Sequence, residues 1–180
     1  MKTEELTDSE LLVLGLVAEM PRYGYELEQI IEQRSMREWT NIGFSSIYYV
    51  LNKLEKKDLV IAGAPMKLKA RKIYELTEFG RKILVQQTLQ TLKSVDPRYP
   101  ALLLGMIHWP IVSRDQALGA LNSRMQAVEE EMKRIEDIHC AQQPLPDYLD
   151  AIFEFSLGQL QTEANWIQNT LDYMKTKPWV

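Results

Sequence analysis

Three short runs between Gly24 and Arg81 constrain the fold of this chain most strongly. The first, Gly-Tyr-Glu-Leu at 24–27, opens a segment with apolar residues at helical spacing. The second, residues 45–54, has one apolar face and one face of Ser, Tyr, Asn and Lys. The third, residues 73–76, is a β-type run. Residues 59–62 form a similar β-type run, and a loop rich in Lys and Arg separates the two. Helix, helix and basic hairpin in this order predict a winged helix-turn-helix with a two-stranded wing, which places one helix in a DNA major groove.

The charge of the chain is unevenly distributed. The net charge of -4 and the sequence pI near 5.3 argue by themselves against a nucleic-acid binder, because neutralising phosphate requires a basic surface. However, residues 34–82 hold 11 basic and 5 acidic residues, a net charge of +6, whereas residues 94–180 hold 7 and 12, a net charge of -5. The basic charge therefore lies in the segment that the pattern assigns to DNA recognition.

Capping residues indicate where the helices of the first half begin. Thr7 and Glu10 have the spacing of a capping box, so the first helix is predicted to run from there to about Glu19. Pro21 and Gly24 interrupt the pattern before a second helix, which is expected to end near residues 33–36. Thr77 is the predicted N-cap of a fourth helix that follows the wing.

The second half begins with an apolar stretch at residues 101–112. It holds about a dozen residues and includes His108, which is shorter than the roughly 20 residues that span a bilayer. We therefore expect a buried helix rather than a membrane anchor. Pro110 ends this helix, and Ser113 is the predicted cap of the next one.

Two heptad patterns follow. Apolar residues recur at steps of three and four from 118 to 135 and again from 157 to 174, with Pro144 and Pro146 between them. This pattern predicts two antiparallel helices with a coiled-coil-like seam, and such a thin hairpin is expected to bury its remaining apolar surface against a second copy. The predicted dimer-interface residues are Leu118, Leu121, Met125, Val128, Leu160 and Ile167.

The candidate DNA-contacting residues fall on the third helix, on the wing and in the tetrapeptide 24–27. Ser hydroxyls and backbone N–H groups at a helix start suit phosphate, and Asn or Lys side chains reach base edges. Tyr48 either contacts a phosphate or packs in the core with its hydroxyl at the surface. The alternatives are a solvated helix face and an edge hairpin protected by lysines. The predicted residues are Tyr25, Ser45, Ser46, Tyr48, Tyr49, Asn52, Lys53, Lys67, Lys69, Arg71 and Lys72.

An effector pocket is predicted between the two halves, lined by aromatic residues outside the heptad seams. The alternative for each of these residues is ordinary core packing. The candidates are Trp39, Trp109 and Phe153, with His108 as a polar anchor.

The sequence contains no recognisable catalytic or metal-binding set. His108 and His139 have no His or Cys partners at zinc-site spacing, and no phosphate-binding Gly loop or Gly-x-Ser-x-Gly motif occurs. Cys140 is the single cysteine, so an intrachain disulfide is excluded, and acidic residues near the N-terminus do not fit a signal peptide. We expect a cytoplasmic protein without cofactor, metal or membrane partner.

The motifs of the first half resemble those of the PadR family of bacterial transcriptional regulators. The resemblance covers about residues 9–92 and is specific in order and spacing. The second half is similar in architecture to the longer branch of that family, with a large C-terminal dimerisation domain, which includes phenolic-acid repressors and certain virulence-gene activators. The residues that carry the resemblance are Gly24-Tyr25-Glu26-Leu27 with Ile30, Ile47-Tyr48 with Leu51 and Leu54-Glu55, and Arg71 with Tyr74-Glu75-Leu76-Thr77 and Gly80.

The resemblance implies a homodimer that binds a pseudo-palindromic operator, usually as a repressor, and is released by a small effector. The chain departs from the family pattern at three positions. Asp58 stands where Gly is usual, and Asp tolerates the left-handed backbone that this turn requires. Ser45 replaces a frequent Gly, and Tyr49 replaces a frequent Arg or Pro, so the resemblance does not specify the operator sequence.

Together these observations predict a mostly α protein with two domains. Residues 1–94 are the expected winged-helix DNA-binding domain, and residues 95–180 the expected helical domain for dimerisation and effector binding. The predicted function is an effector-responsive repressor that binds DNA, itself and a small aromatic effector. The alternatives are an activator of the same family and a winged-helix adaptor that binds protein instead of DNA. An enzyme is a third class, against which the absence of a catalytic set counts.

Overall fold

A computed structural model describes residues 5–38, 40, 47–63, 72–95 and 100–179. Contacts divide the chain into two compact units, Met1–Asp96 and Pro97–Val180. The protein is mostly helical with a small antiparallel sheet, which confirms the predicted fold class. The elements are α1 (Asp8–Glu19), β1 (Arg22–Tyr23), α2 (Gly24–Gln33), α3 (Ile47–Lys56), β2 (Val60–Ala62), β3 (Ile73–Leu76), α4 (Glu78–Lys93), α5 (Ala101–His108), α6 (Arg114–Gln142) and α7 (Asp147–Thr176).

The first unit is built around α1, α2 and α3. The predicted capping box begins α1: the Thr7 side chain accepts from the Glu10 backbone N–H, and the Glu10 carboxylate accepts from the Thr7 N–H at 2.9 Å. Apolar residues at helical spacing meet in one core, so each helix keeps a polar face outside. The fully buried members include Leu14, Leu27, Ile31, Ile47, Leu51 and Leu54.

The wing is one strand larger than predicted. The pairing of β2 with β3 confirms the expected hairpin, but β1 adds on the other side of β3, giving the order β1-β3-β2. The pattern after Pro21 contains no strand signal because β1 is only two residues long. The Arg22 side chain anchors this strand to α1 through the Leu16 carbonyl at 3.3 Å and the Glu19 carboxylate at 2.8 Å.

A tight turn joins α3 to the sheet. Asp58 has a φ of 55°, which confirms that Asp takes the left-handed conformation here. The Thr77 hydroxyl donates to the Asp58 carbonyl at 2.7 Å and accepts from the Gly80 N–H at 2.7 Å, so one side chain fixes the turn and caps α4. A Cβ atom added at Gly80 would overlap the Leu59 carbonyl oxygen. The close approach of α4 to the turn therefore requires glycine.

A buried ion pair connects the start of α1 to the end of α3. Glu10 is 2% exposed, and the Lys57 ammonium lies 3.2 Å from its carboxylate oxygens. Burial raises the pKa of Glu10, but the Thr7 backbone hydrogen bond and Lys57 outweigh it, so the net pKa lies below its usual value of 4.5. Because the capping box already uses this carboxylate, Glu10 serves both local and tertiary structure.

This pair makes the stability of the first unit depend on pH. Because the folded-state pKa of Glu10 is lowered, its stabilisation is present above the unfolded pKa and is lost as pH falls through the folded pKa. We expect Glu10→Gln to reduce the unfolding free energy by about 1–3 kcal/mol at pH 7 and by much less near pH 3. Urea unfolding of both proteins between these pH values measures the difference, with Glu5→Gln as the exposed control. A difference that stays constant across the range would contradict the assignment.

The second unit is a helical hairpin preceded by α5. Contacts of Arg124 with Glu163 and of His139 with Asp150 show that α6 and α7 run antiparallel, as predicted. Ser113 caps α6 and forms a capping box with Gln116. Among the described residues, no helix combines the length and hydropathy that a bilayer span requires.

The heptad seam packs α6 against α7 within one chain, and its role as a dimer interface stays a prediction. Most of the seam is buried where α6 packs on α7, and Ile167 is completely buried. The buried members of the seam are covered by their own hairpin, whereas the partly buried members keep some exposed surface. Leu121, Val128 and Ile167 are buried, and Leu118, Met125 and Leu160 are partly buried against the same cluster.

The apolar helix α5 is exposed, which corrects its prediction as a buried helix. In the described part of the chain, no residue of α5 is buried, and the exposed fraction reaches 64% at Leu104 and 67% at Ile107. The seam between α6 and α7 is filled by their own side chains, so it leaves no cover for α5. This exposed apolar helix becomes the main uncovered apolar feature described in the second unit.

Candidate nucleic-acid interface

Helix α3 presents a polar face whose chemistry suits DNA. Four of its residues, Ile47, Val50, Leu51 and Leu54, are buried in the core, which fixes the rotation of the helix. The opposite side therefore faces solvent. It carries exposed Tyr48, Tyr49, Asn52 and Lys56, with Lys53 half-buried among them. Ser45 and Ser46, predicted at the start of this surface, lie outside the described residues.

Tyr48 packs on the first residue of α2 while half of it remains exposed. A Cβ atom added at Gly24 would lie 2.5 Å from the Tyr48 Cε1 atom, so this glycine leaves room for the ring. The contact gives the tetrapeptide 24–27 a physical role: Gly24 seats the tyrosine, and Leu27 enters the core. Tyr48 thus lies at the surface rather than in the core, and its ring is held against α2.

Tyr25 extends the aromatic surface along α2. Its ring stacks on Tyr23 with 5.7 Å between centroids and an interplanar angle of 22°. The Glu26 carboxylate accepts from the Tyr23 backbone N–H at 2.8 Å and from the Tyr25 hydroxyl at 3.4 Å. Glu26 therefore caps the start of α2 and helps to orient Tyr25.

The ring of Tyr49 restricts the Lys53 side chain on the polar face of α3. Its ammonium lies 4.7 Å from the centroid of the Tyr49 ring, one turn earlier on α3. A cation–π contact of this kind restricts the long lysine side chain without neutralising its charge. Lys53 therefore lies on the same face of α3 as Asn52.

Lys72 is paired with a carboxylate at the base of the wing. Its ammonium lies 3.4 and 3.3 Å from the two carboxylate oxygens of Glu55 on α3. The other predicted wing cations, Lys67, Lys69 and Arg71, lie outside the described residues.

The local charge of the first unit is smaller than the count over residues 34–82 indicates. Arg34 donates to both carboxylate oxygens of Glu19 at 2.5 and 2.9 Å, and Lys57 pairs with Glu10. The hydrogen bond from Arg34, together with Arg22, lowers the pKa of Glu19 despite its partial burial. The carboxylates of both pairs, Glu19 and Glu10, precede residue 34 in sequence, so a charge count over residues 34–82 does not include them.

The predicted effector residues do not come together. Trp109 packs on Trp179 at 5.7 Å between centroids, where α6 begins, whereas Phe153 stacks on His139 at 4.5 Å, near the end of α6. The 26 residues from Ser113 to His139 correspond to about 40 Å of helix. Trp109 and Phe153 therefore cannot line one pocket in one chain, which corrects the predicted set. His108 is exposed, and Trp39 lies outside the described residues.

The two histidines have the contacts of structural residues. The Nε2 atom of His139 lies 2.7 Å from the Asp150 carboxylate across the turn between α6 and α7. Hydrogen bonds from His139 and Gln143 lower the pKa of Asp150. Among the residues that the structure describes, no group of three or more His, Cys, Asp or Glu side chains could hold a metal ion.

Comparison with known proteins supports the fold over nearly the whole chain. PadR of Bacillus subtilis in complex with operator DNA is 17% identical, with a TM-score of 0.72 over 92% of this chain and 98% of that one. The same protein in complex with p-coumaric acid is 18% identical, with a TM-score of 0.75 over 92% and 98%. The PadR-like transcriptional regulator of Bacillus cereus is 16% identical, with a TM-score of 0.69 over 95% and 100%.

Comparison of sequences gives the family. A relative from Lysinibacillus sphaericus, described as uncharacterized protein X, is 35% identical over 75 residues, which are 41% of this chain and 68% of the relative. Residues 13–86, which include α2, α3 and the wing, match the family described as Transcriptional regulator PadR-like. This agrees with the resemblance carried by the tetrapeptide 24–27 and by the residues of α3 and β3. The chain therefore belongs to the PadR-like family, whose members are transcriptional regulators and not enzymes.

Proposed function

We propose that this regulator is a repressor that binds a pseudo-palindromic operator as a homodimer and is released by a small aromatic effector. The observation that carries the proposal is the exposed face of α3. Tyr49, Asn52 and Lys53 lie on one side of a helix whose other side is fixed in the core. Asn and Lys side chains on a rigid helix can hydrogen-bond to base edges in the major groove.

The tyrosines and the wing supply contacts of a different kind. Tyr25 follows Gly24 in sequence and the Tyr48 ring packs beside Gly24; both tyrosines are exposed, so their hydroxyl groups can reach phosphate oxygens. The basic segment 64–71, between β2 and β3 in sequence, supplies positive charge independent of base sequence. A solved relative of the same fold is described in complex with operator DNA, which favours this use of the fold.

A second copy is the proposed cover for α5. A contiguous exposed apolar helix is costly in water and marks an interaction surface. Regulators that read inverted repeats are two-fold symmetric, and a two-fold interface uses the same patch on both copies. The exposed residues Leu103, Leu104 and Ile107 form such a patch, with Ile111 just beyond them.

The effector site is proposed in the second unit, in place of the residues predicted from sequence. A groove of about 760 Å³ lies between α5 and α7, lined by residues that include Leu102, Met106, Phe155 and Trp166. Its apolar side chains can pack on a small planar molecule, and Glu154, Gln159, Thr162 and Glu163 supply polar groups in the same lining. A solved relative is described in complex with p-coumaric acid, a small aromatic compound that a groove of this volume can hold.

The proposal is tested by comparing operator and scrambled duplexes across a salt series. We expect Asn52→Ala to weaken operator binding by about 1–3 kcal/mol and to leave binding to the scrambled duplex almost unchanged. Lys69→Ala, on the wing, should weaken both alike and reduce the salt slope by about 1 for each phosphate that the lysine no longer neutralises.

Two outcomes would contradict the proposal. Equal reductions of affinity on both duplexes for Asn52→Ala would remove α3 from base reading. An absence of salt-dependent binding to any duplex would favour an adaptor that binds protein. The effector is tested by adding p-coumaric acid and planar aromatic compounds to the protein–DNA complex. A compound that binds should quench tryptophan fluorescence and also dissociate the DNA. If no compound does both, the proposed release by an aromatic effector is wrong.

A further inference from the structure

The ion pair between Glu55 and Lys72 joins the recognition helix to the base of the wing. Glu55 lies near the end of α3, and Lys72 immediately precedes β3. The Lys72 ammonium is 3.4 and 3.3 Å from the two carboxylate oxygens of Glu55. The Glu55 side chain is 34% exposed and the Lys72 side chain is 47% exposed. The pair thus places a negative charge beside the surface that the proposed function brings to DNA.

Stability gives little reason for this carboxylate. A negative charge in the last turn of a helix is unfavourable because the helix dipole is negative at that end, where Lys53 and Lys56 are the favourable residues. Ion pairs exposed to water contribute little to folding. By contrast, the pair of Glu10 and Lys57 is buried, and Glu10 also accepts a capping hydrogen bond, so this pair has a clear role in stability.

We propose that Glu55 limits the sequence-independent affinity for DNA by neutralising Lys72. This inference rests on the proposed function, since it concerns the same DNA-binding surface. Two opposite charges about 3 Å apart act on distant groups only as a dipole, and salt screens that field within about 8 Å at physiological ionic strength. A phosphate that approaches Lys72 must compete with the carboxylate and is repelled by it. Lys72 therefore adds little to the attraction for DNA while Glu55 is charged.

The proposal predicts opposite effects for the two partners. Glu55→Gln keeps the shape of the side chain but frees Lys72, so affinity should rise several-fold on operator and scrambled duplexes alike. The logarithm of the binding constant should then fall more steeply with salt, by about 0.9 for each freed lysine and so about 2 for a dimer. Lys72→Met should lower affinity on both duplexes, because it leaves the Glu55 carboxylate unpaired beside the DNA.

The experiment compares four proteins, the unaltered chain, Glu55→Gln, Lys72→Met and the double variant, on both duplexes across a salt series. The steeper slope of Glu55→Gln should disappear in the double variant, because the freed lysine is then absent. Glu75→Gln is the matched control: it removes the same charge from an exposed residue of β3. Thermal unfolding of each protein shows that the variants are folded, and a change in folding alone would not alter the salt slope.

Two results would overturn the inference. The first is a salt slope of Glu55→Gln that is unchanged or shallower, which would make the pair structural or a means of positioning Lys72. The second is an equal increase for Glu75→Gln, which would assign the effect to net charge. Failure of the unaltered protein to bind any duplex would instead contradict the proposed function, so the two failures are distinguishable.

Discussion

Leu104→Asp should dissociate the proposed dimer while leaving each chain folded. Leu104 is 64% exposed in one chain, so the aspartate costs the isolated chain little. At a two-fold interface the same substitution enters twice and would place two carboxylates in an apolar contact. Hot-spot residues, which cluster near the centre of an interface, cost about 2 kcal/mol or more each when truncated, so such a role for Leu104 predicts dimerisation weakened by at least about a hundredfold. Analytical ultracentrifugation measures this change.

The matched variant is Leu121→Asp, in the seam between α6 and α7. Leu121 is buried within one chain, so an unpartnered carboxylate there should unfold the second unit rather than separate two folded chains. Circular dichroism should therefore be unchanged for Leu104→Asp and should lose helical signal for Leu121→Asp. A folded Leu104→Asp protein with an unchanged association constant would remove α5 from the dimer interface.

Gly80→Ala should be the most destabilising small substitution in the first unit. The added Cβ would overlap the Leu59 carbonyl oxygen, which is backbone and already accepts from the Thr77 N–H at 3.1 Å. To relieve the overlap, α4 must move away from the turn at Asp58, which would break the hydrogen bonds of Thr77. We expect a loss of about 1–3 kcal/mol or more in the free energy of unfolding.

Gly119→Ala provides the control for this prediction. Gly119 lies within α6, and an added Cβ there meets no atom within 4 Å. The same change should therefore leave stability unchanged or raise it by up to about 1 kcal/mol, because alanine favours a helix. Denaturant unfolding measures both variants. A similar effect of the two substitutions would show that the close approach at Gly80 is not required.

Local signals in the sequence predict much of the fold. The spacing of Thr7 and Glu10 specifies a capping box whatever lies around it, and the structure has that box. The left-handed turn at Asp58 follows from the residues that tolerate this conformation. Periodic apolar residues likewise locate α3, α6 and α7, because burial of one face is what stabilises such helices.

Packing between distant elements cannot be predicted in this way. A heptad pattern specifies an apolar stripe but not the partner that covers it, so the pattern assigns Leu121 and Ile167 to a dimer although they meet within one chain. The composition of α5 indicates burial, whereas its cover is not supplied by its own chain. Trp109 and Phe153 lie near opposite ends of α6. Their separation depends on the length of α6 and on the aromatic ring that packs beside each of them.

The same limit applies to the candidate interface. The sequence indicates the polar face of α3 with Asn52 and Lys53, since this follows from helical periodicity alone. It contains no sign that Lys72 pairs with Glu55, because the two residues are 17 positions apart and meet only when the sheet packs on α3. Charge counted along a sequence is therefore a poor measure of the charge that DNA would meet.

Selection of bound sequences from random duplex DNA with the purified protein tests the central claim most directly. If the protein reads DNA as a dimer through α3, an inverted repeat should be enriched, with half-sites about 10 base pairs apart or a multiple of that spacing. Asn52→Ala should lose the preference. A folded, dimeric protein that enriches no sequence across the salt series would contradict the assignment of this chain as an operator-binding regulator.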